Sequence, residues 1–144
     1  MSFDAVCRPI LLVEDNPVDL DLTLRAFARH KLSNPVNVAR DGEEALAWIP
    51  RWEAGEPWPV VVLLDLKLPR EDGLAVLRQI KEHPDLQAIP VVVLTSSREA
   101  RDVKAAYQLG ANSYIVKPVD FDKFMDLVAQ IELYWCAINQ PPRC

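Results

Sequence analysis

The sequence predicts one doubly wound α/β domain with a five-stranded parallel sheet. Three observations lead there. Short apolar runs alternate five times with longer amphipathic stretches along the 144 residues. The third and fourth runs are unbroken Val/Leu, as in strands covered on both faces. The stretches between the runs are long enough for the helical crossovers that parallel strands require.

The elements follow in order. "PILLVED" reads as a strand ending at Glu14 and Asp15. "NPVDLDLTLRAFARHK" reads as a helix, with Asn16 as N-cap and Pro17 in its first position. "NPVNVAR" is the second strand, its proline also ending the helix before it. "DGEEALAWI" opens a helix at Asp41, with Glu44 three residues on as in a capping box. A loop, "PRWEAGEPWP", leads to the third strand, "VVVLLD". After the turn "LPREDG" comes the helix "LAVLRQIKEH", closed by Pro84. The strand "PVVVLTSS" precedes the helix "REARDVKAAYQL", which Gly110 terminates. "SYIVKP" is the last strand. "DFDKFMDLVAQIELYWCAI" is a final helix that stops before Pro141 and Pro142.

Composition narrows the function. A net charge of -5 and a pI near 5.0 argue against nucleic acid or an anionic membrane as the main partner. No segment has the length of a signal peptide core or a membrane span. Cys7, Cys136 and Cys144 form no CxxC or CxH pair, so a disulfide framework or zinc site is not expected and a cytoplasmic home is.

In a parallel sheet of this kind, ligands gather at the carboxyl ends of the strands, where strand order reverses. Glu14 and Asp15 follow the first strand, Asp65 the third and Thr95 the fourth, and Lys117-Pro118 follow the fifth. Clustered carboxylates need a compensating cation. An all-oxygen set suits a hard ion such as Mg²⁺, with Mn²⁺ as the alternative. Lys117 and Thr95 suit phosphate oxygens, and Asp65 can serve as a nucleophile that forms an aspartyl phosphate.

The ordered set Glu14-Asp15, Asp65 in "LLDLKLPREDG", Thr95-Ser96 and Lys117-Pro118 resembles the receiver domain of two-component response regulators, across nearly the whole chain. The resemblance implies a flavodoxin-like (βα)5 fold and a phosphoacceptor switch, with Asp65 taking a phosphoryl group from a sensor histidine kinase. It implies Mg²⁺ held by Asp15, Asp65, the Lys67 backbone carbonyl and, through water, Glu14. Lys117, Thr95 and Ser96 would contact the phosphoryl group. Thr95 would move inward and Tyr114 would fill the space this opens, switching the face formed by the fourth helix, fifth strand and fifth helix. The family's Lys–Pro peptide is cis, so Lys117–Pro118 is expected to be cis as well.

No turnover of a separate substrate is implied. A haloacid-dehalogenase-like phosphohydrolase would carry an acid where Lys67 stands and would usually add a cap domain. A flavodoxin would present a phosphate loop in place of the acids. A pseudo-receiver adaptor would lack the full residue set. Lys67 departs from expectation beside the phosphoacceptor; it is expected either to alter phosphoryl lifetime, by attracting the anion or obstructing hydrolytic water, or to point into solvent.

The single domain is expected to fill residues 1–144, with a core of about 8–138 and no output domain. Signalling would then pass through protein contacts or onward phosphotransfer. In the first helix, Leu20, Leu24 and Phe27 form one apolar stripe and Val18, Leu22 and Ala26 another; the stripe not used by the core could dock a kinase. Phe124, Val128, Ile131, Trp135 and Ile138 form the expected core face of the last helix. Its end, "LYWCAI", is apolar all round, which predicts a homodimer through Leu133, Tyr134, Trp135 and Ile138. Stand-alone receivers with such ends resemble those paired with bacterial phytochromes.

Overall fold

The computed structural model describes residues 8–29 and 34–142. Cys7, Cys144 and the predicted helix end at residues 30 and 31 lie outside the described residues. The five strands are β1 (Ile10–Val13), β2 (Val36–Ala39), β3 (Val61–Leu64), β4 (Val91–Thr95) and β5 (Ser113–Val116). All are parallel, in the order β2-β1-β3-β4-β5, so the order reverses between β1 and β3.

The Val/Leu runs are buried on both faces, as their composition predicts. Leu11, Val13, Val62, Leu64 and Val93 point to one side. There they meet Val76, Leu77 and Ile80 of α4 (Gly73–Glu82) and Ala106 of α5 (Ala100–Gln108). Ile10, Leu12, Leu63, Val92 and Leu94 point to the other side. They meet α1 (Pro17–Arg29) and α6 (Phe121–Glu132). Each fully buried Leu or Val contributes about 1.5–3 kcal/mol relative to exposure. The packing is therefore strong enough to hold the polar groups at the strand ends in place.

The caps form largely as read. Asn16 Oδ1 accepts from the Val18 and Asp19 N–H groups at 2.9 and 3.1 Å. Asp41 Oδ1 accepts from Glu44 N at 2.8 Å, while Glu44 reaches back to Arg40 N at 3.1 Å, one residue before the cap. Gly110 ends α5 with φ +105°, a value that suits glycine. Along α1 the two apolar stripes merge: Leu20, Leu22, Ala26 and Phe27 are buried, leaving Val18 and Leu24 exposed.

Two stretches differ from expectation. The helix predicted over 41–49 is two short ones, α2 (Gly42–Leu46) and α3 (Trp48–Glu53), and the predicted loop over 50–59 begins only at Ala54. Pro50 occupies the third position of α3, where its missing N–H has no intrahelical acceptor to lose. Trp52, 3% exposed, anchors this turn in the core.

The terminal helix changes winding after Glu132, with π-helical turns over Leu133–Ile138. The wider turn rotates the face, so Ile138 is 63% exposed and does not extend the core stripe. Trp135 stays partly buried against the core. The tail beyond it returns to the amino-terminal edge of the sheet. There the buried Arg8 guanidinium donates to the carbonyls of Trp58 (2.9 Å), Pro59 (3.1 Å) and Pro142 (2.7 Å).

Glu132, 3% exposed, leaves its Oε1 without a hydrogen-bond partner. Burial raises its carboxyl from 4.5 to about 7. The folded state therefore holds this proton over a range in which the unfolded chain releases it. Its stabilising contribution is complete below about 4.5 and is lost as pH rises through about 7. Glu132→Gln is expected to flatten the fall in stability between pH 5 and 8, measured as urea midpoints at each pH.

Candidate functional site

The backbone ladder runs one residue past the strands and sets the site. Glu14 N donates to Ala39 O (3.0 Å), Asp65 N to Val13 O (3.1 Å) and Lys117 N to Thr95 O (2.7 Å). Glu14, Asp65 and Lys117 thus stand in one row at the carboxyl edge, beside the reversal of strand order. Gly73 lets α4 start against this row, since a Cβ there would collide with the Asp65 carbonyl and the Leu66 backbone.

The Lys117 ammonium is buried among three carboxylates. Its Nζ lies 2.6 Å from Glu14 Oε1, 2.8 Å from Asp65 Oδ2 and 2.9 Å from Asp19 Oδ2. The other Asp65 oxygen, Oδ1, accepts from Thr95 Oγ1 at 2.9 Å and Lys67 N at 3.1 Å. Glu14 Oε2 accepts from Asn16 N at 3.1 Å.

Burial is the largest influence on Asp65, Glu14 and Lys117, and their bonds decide the outcome. For Asp65, burial opposes charge, but the Lys117 bond and charge, the Lys67 N–H and the Thr95 hydroxyl outweigh it and hold the carboxyl below its usual range. Burial of Glu14 is only partly offset by Lys117, and its carboxyl rises to about 7. For Lys117, burial disfavours the ammonium, but the bonds to Asp65 and Glu14 outweigh it and raise the pKa. Burial raises Glu14 more than Lys117 lowers it, and the neighbouring Asp65 charge adds to the rise, so of these two acids Glu14 keeps a proton the more readily.

Oxygens of Glu14, Asp15 and Asp65 lie within 4.8 Å of one another, with Asp15 exposed at the rim. Three carboxylate oxygens at this spacing fit a hard divalent cation. A cleft of about 450 Å³ opens in front of them, lined in part by Asp15, Lys67, Asp72 and Asp102.

Most of the predicted site residues meet here. Ser96 is exposed, and the polar partner of the β4 end is Ser97. Its N–H approaches Thr95 Oγ1 at 3.5 Å and its hydroxyl donates to Asp102. Tyr114 is partly buried against the core, and its hydroxyl donates to Ser97 O at 2.9 Å. The Lys67 side chain, 61% exposed, extends to within 3.7 Å of Asp102 Oδ2. Leu133, Tyr134 and Ile138 lie exposed, far along the chain's last turns, and belong to a separate surface.

The expectation of a cis Lys117–Pro118 peptide is corrected: no cis peptide bond occurs among the described residues. The trans form is the lower in energy by about 0.5–1 kcal/mol for an X–Pro bond, and Lys117 reaches all three carboxylates from it. Asp19 was missed by the sequence reading. In the sequence it is an ordinary acid of the first turn of α1, three residues past the Asn16 cap, and nothing there sets it apart.

Removing one partner of a buried ion cluster typically costs about 3–5 kcal/mol. Lys117→Met is expected to cost about 3 kcal/mol in chelator-treated buffer, read by urea denaturation. Millimolar Mg²⁺ should restore more stability to the variant than it adds to the native chain, because a divalent ion can supply the missing charge.

The model of the response regulator receiver domain matches residues 10–129. The response regulator Rcp1 of Synechocystis sp. is 40% identical over 130 residues, covering 89% of this chain and 88% of its own. Its Mn²⁺-bound crystal structure superposes with a TM-score of 0.87 at 37% identity, over 94% of this chain and 99% of that one. The phosphorylated cyanobacterial phytochrome response regulator RcpA gives 0.88 at 38% identity, with the same coverage. The bacteriophytochrome response regulator RtBRR is 50% identical, with a TM-score of 0.72 over 94% of this chain and 84% of that one. With a parallel sheet in this order and this edge, the chain belongs to the response regulator receiver family.

Proposed function

We propose that this receiver is a phosphoacceptor switch in which Asp65 takes a phosphoryl group from a phosphohistidine of a sensor kinase. The observation that carries this reading is the set of bonds on Asp65: Lys117 on one oxygen, Thr95 and the Lys67 N–H on the other. The aspartate oxygen attacks phosphorus, the P–N bond to the histidine breaks, and its electron pair leaves with the imidazole. Lys117 and Thr95 can then pass from the carboxylate to the new phosphoryl oxygens without leaving the site. Positioning and charge neutralisation supply most of the catalysis in such a transfer.

Mg²⁺ is the proposed ion, with Mn²⁺ able to replace it. Asp15 and Asp65 would bind it directly, the Lys67 carbonyl would add a ligand and Glu14 would act through water. When bound, it supplies the positive charge that lets phosphoryl oxygens approach the acids. Thr95 and Tyr114 are the proposed switch pair, acting on the face of α5, β5 and α6. No separate substrate is turned over; slow hydrolysis resets the switch.

The exposed apolar side chains Val18, Leu24, Val119 and Phe121 flank this edge and suit docking of kinase helices. The names of RcpA and RtBRR support a phytochrome-type sensor kinase as the partner. No helix among the described residues is long and apolar enough to cross a membrane. The exposed Leu133, Tyr134 and Ile138 support a homodimer through the terminal turns, with Trp135 holding Tyr134 edge-on at 5.0 Å.

Incubation with acetyl phosphate and Mg²⁺ should add one phosphoryl group per chain by intact mass. Asp65→Asn or a chelator should abolish the addition, and persistence of the label in Asp65→Asn would reject the assignment. Light scattering at micromolar concentration should report a dimer, and Leu133→Ser with Tyr134→Ser should give a monomer. A monomeric native chain, with or without phosphorylation, would reject the dimer.

A further inference from the structure

Groups around Asp65 close a ring, and the phosphoacceptor reading leaves its outer members, Asp102 and Ser97, without a part. Lys67 N binds Asp65 Oδ1, and the Lys67 ammonium lies 3.7 Å from Asp102 Oδ2 on α5. Asp102 accepts from the Ser97 hydroxyl, and the Ser97 N–H approaches Thr95 Oγ1, which returns to Asp65 Oδ1. Tyr114 hangs on this ring through the carbonyl of the same Ser97, at 2.9 Å. Among the described residues, Asp102 is thus the carboxylate that touches both the lysine beside the phosphoacceptor and the serine that holds the tyrosine.

The two contacts of Asp102 differ in kind. The serine bond is short and partly buried, whereas the lysine contact is long and its side chain is 61% exposed. An exposed ion pair of this type is worth little and is readily exchanged. Lys67 borders the same cleft as Asp102, so a doubly charged phosphoryl group on Asp65 would compete with Asp102 for its ammonium.

We propose that Asp102 is a positioning residue for phosphoryl turnover: it shares Lys67 with the phosphoryl group and passes the loss of that lysine to Tyr114 through Ser97. Hydrolysis adds a water oxygen to phosphorus and breaks the P–O bond to Asp65, whose electron pair stays on the carboxylate as inorganic phosphate departs. Lys67, when drawn onto the phosphoryl oxygens, crowds the open side from which water arrives. Asp102 holds it back and so shortens the phosphoryl lifetime. The proposal rests on Asp65 being the phosphoacceptor.

The test is a double-mutant cycle on aspartyl phosphate half-life, started with acetyl phosphate and Mg²⁺ and followed by intact mass. Asp102→Asn, which keeps an acceptor for Ser97 but removes the charge, should lengthen the half-life about two- to fivefold, the range available to an exposed ion pair. Lys67→Ala should shorten it, and Asp102→Asn should then have no further effect. Equal effects of Asp102→Asn with and without Lys67, or a shorter or unchanged half-life in the single variant, would overturn the shared-lysine role.

Fluorotyrosine ¹⁹F NMR supplies a readout that needs no phosphate, with Tyr114→Phe giving the assignment. Lys67→Ala and Asp102→Ala should each move the Tyr114 resonance and leave Tyr107 and Tyr134 in place. An unmoved Tyr114 would overturn the relay to the tyrosine. Failure of the native chain to take up phosphate on Asp65 would remove the phosphoacceptor reading and this one together. Normal uptake with an additive cycle would remove only this one.

Discussion

One ammonium group organises the carboxyl edge of this domain. Lys117 arrives from β5, Glu14 from β1, Asp65 from β3 and Asp19 from α1, and Nζ is within 2.9 Å of an oxygen on each acid. None of these elements is adjacent to all the others in sequence. A buried lysine without partners would lose its proton, and the buried Glu14 and Asp65 with the half-buried Asp19 would repel one another without it. Each group is tolerable only because the rest are present, which makes the edge cooperative.

The hydrocarbon layers beneath make that arrangement affordable. Val and Leu on both faces of β1, β3 and β4 fix the strand ends, and the ladder extends one residue further to aim the charged side chains. Gly73 removes the side chain that would otherwise push α4 away from Asp65. On the neighbouring loop, Arg70 adopts a left-handed φ of 68° and pairs with Glu43 at 2.9 Å, tying the loop to α2. The loop that carries Lys67 is therefore held at both ends.

Much of this was legible in the residues. Continuous apolar runs gave the buried parallel strands, and Asn16, Asp41 and Gly110 marked helix ends by local chemistry that needs no tertiary context. The acids, Thr95 and Lys117 could be placed together because parallel strands bring their carboxyl ends to one edge. What escaped reading depends on packing or on small changes of winding. The burial of Trp52 drew residues 48–53 into a helix despite Pro50. Asp19 looked like an ordinary acid in a helix's first turn, and only the position of α1 turns it inward. The π-helical end moved Ile138 out of a stripe that α-helical spacing would have kept. The bonds of Ser97 to Asp102 and Tyr114 escaped reading because they depend on the loop's path after β4.

Arg8 has a consequence for the terminal turns. A charge-assisted hydrogen bond contributes about 1.5–3 kcal/mol, and the guanidinium fork holds carbonyls from two separate stretches of chain at once. Residues 133–138 are accordingly fastened at both ends, to α6 on one side and through Pro142 on the other. Any swap of this arm onto a neighbouring molecule must first untie that leash, so exchange would be governed by a release step as well as by the apolar surface on offer. Lysine, with no planar fork, would hold the knot less firmly.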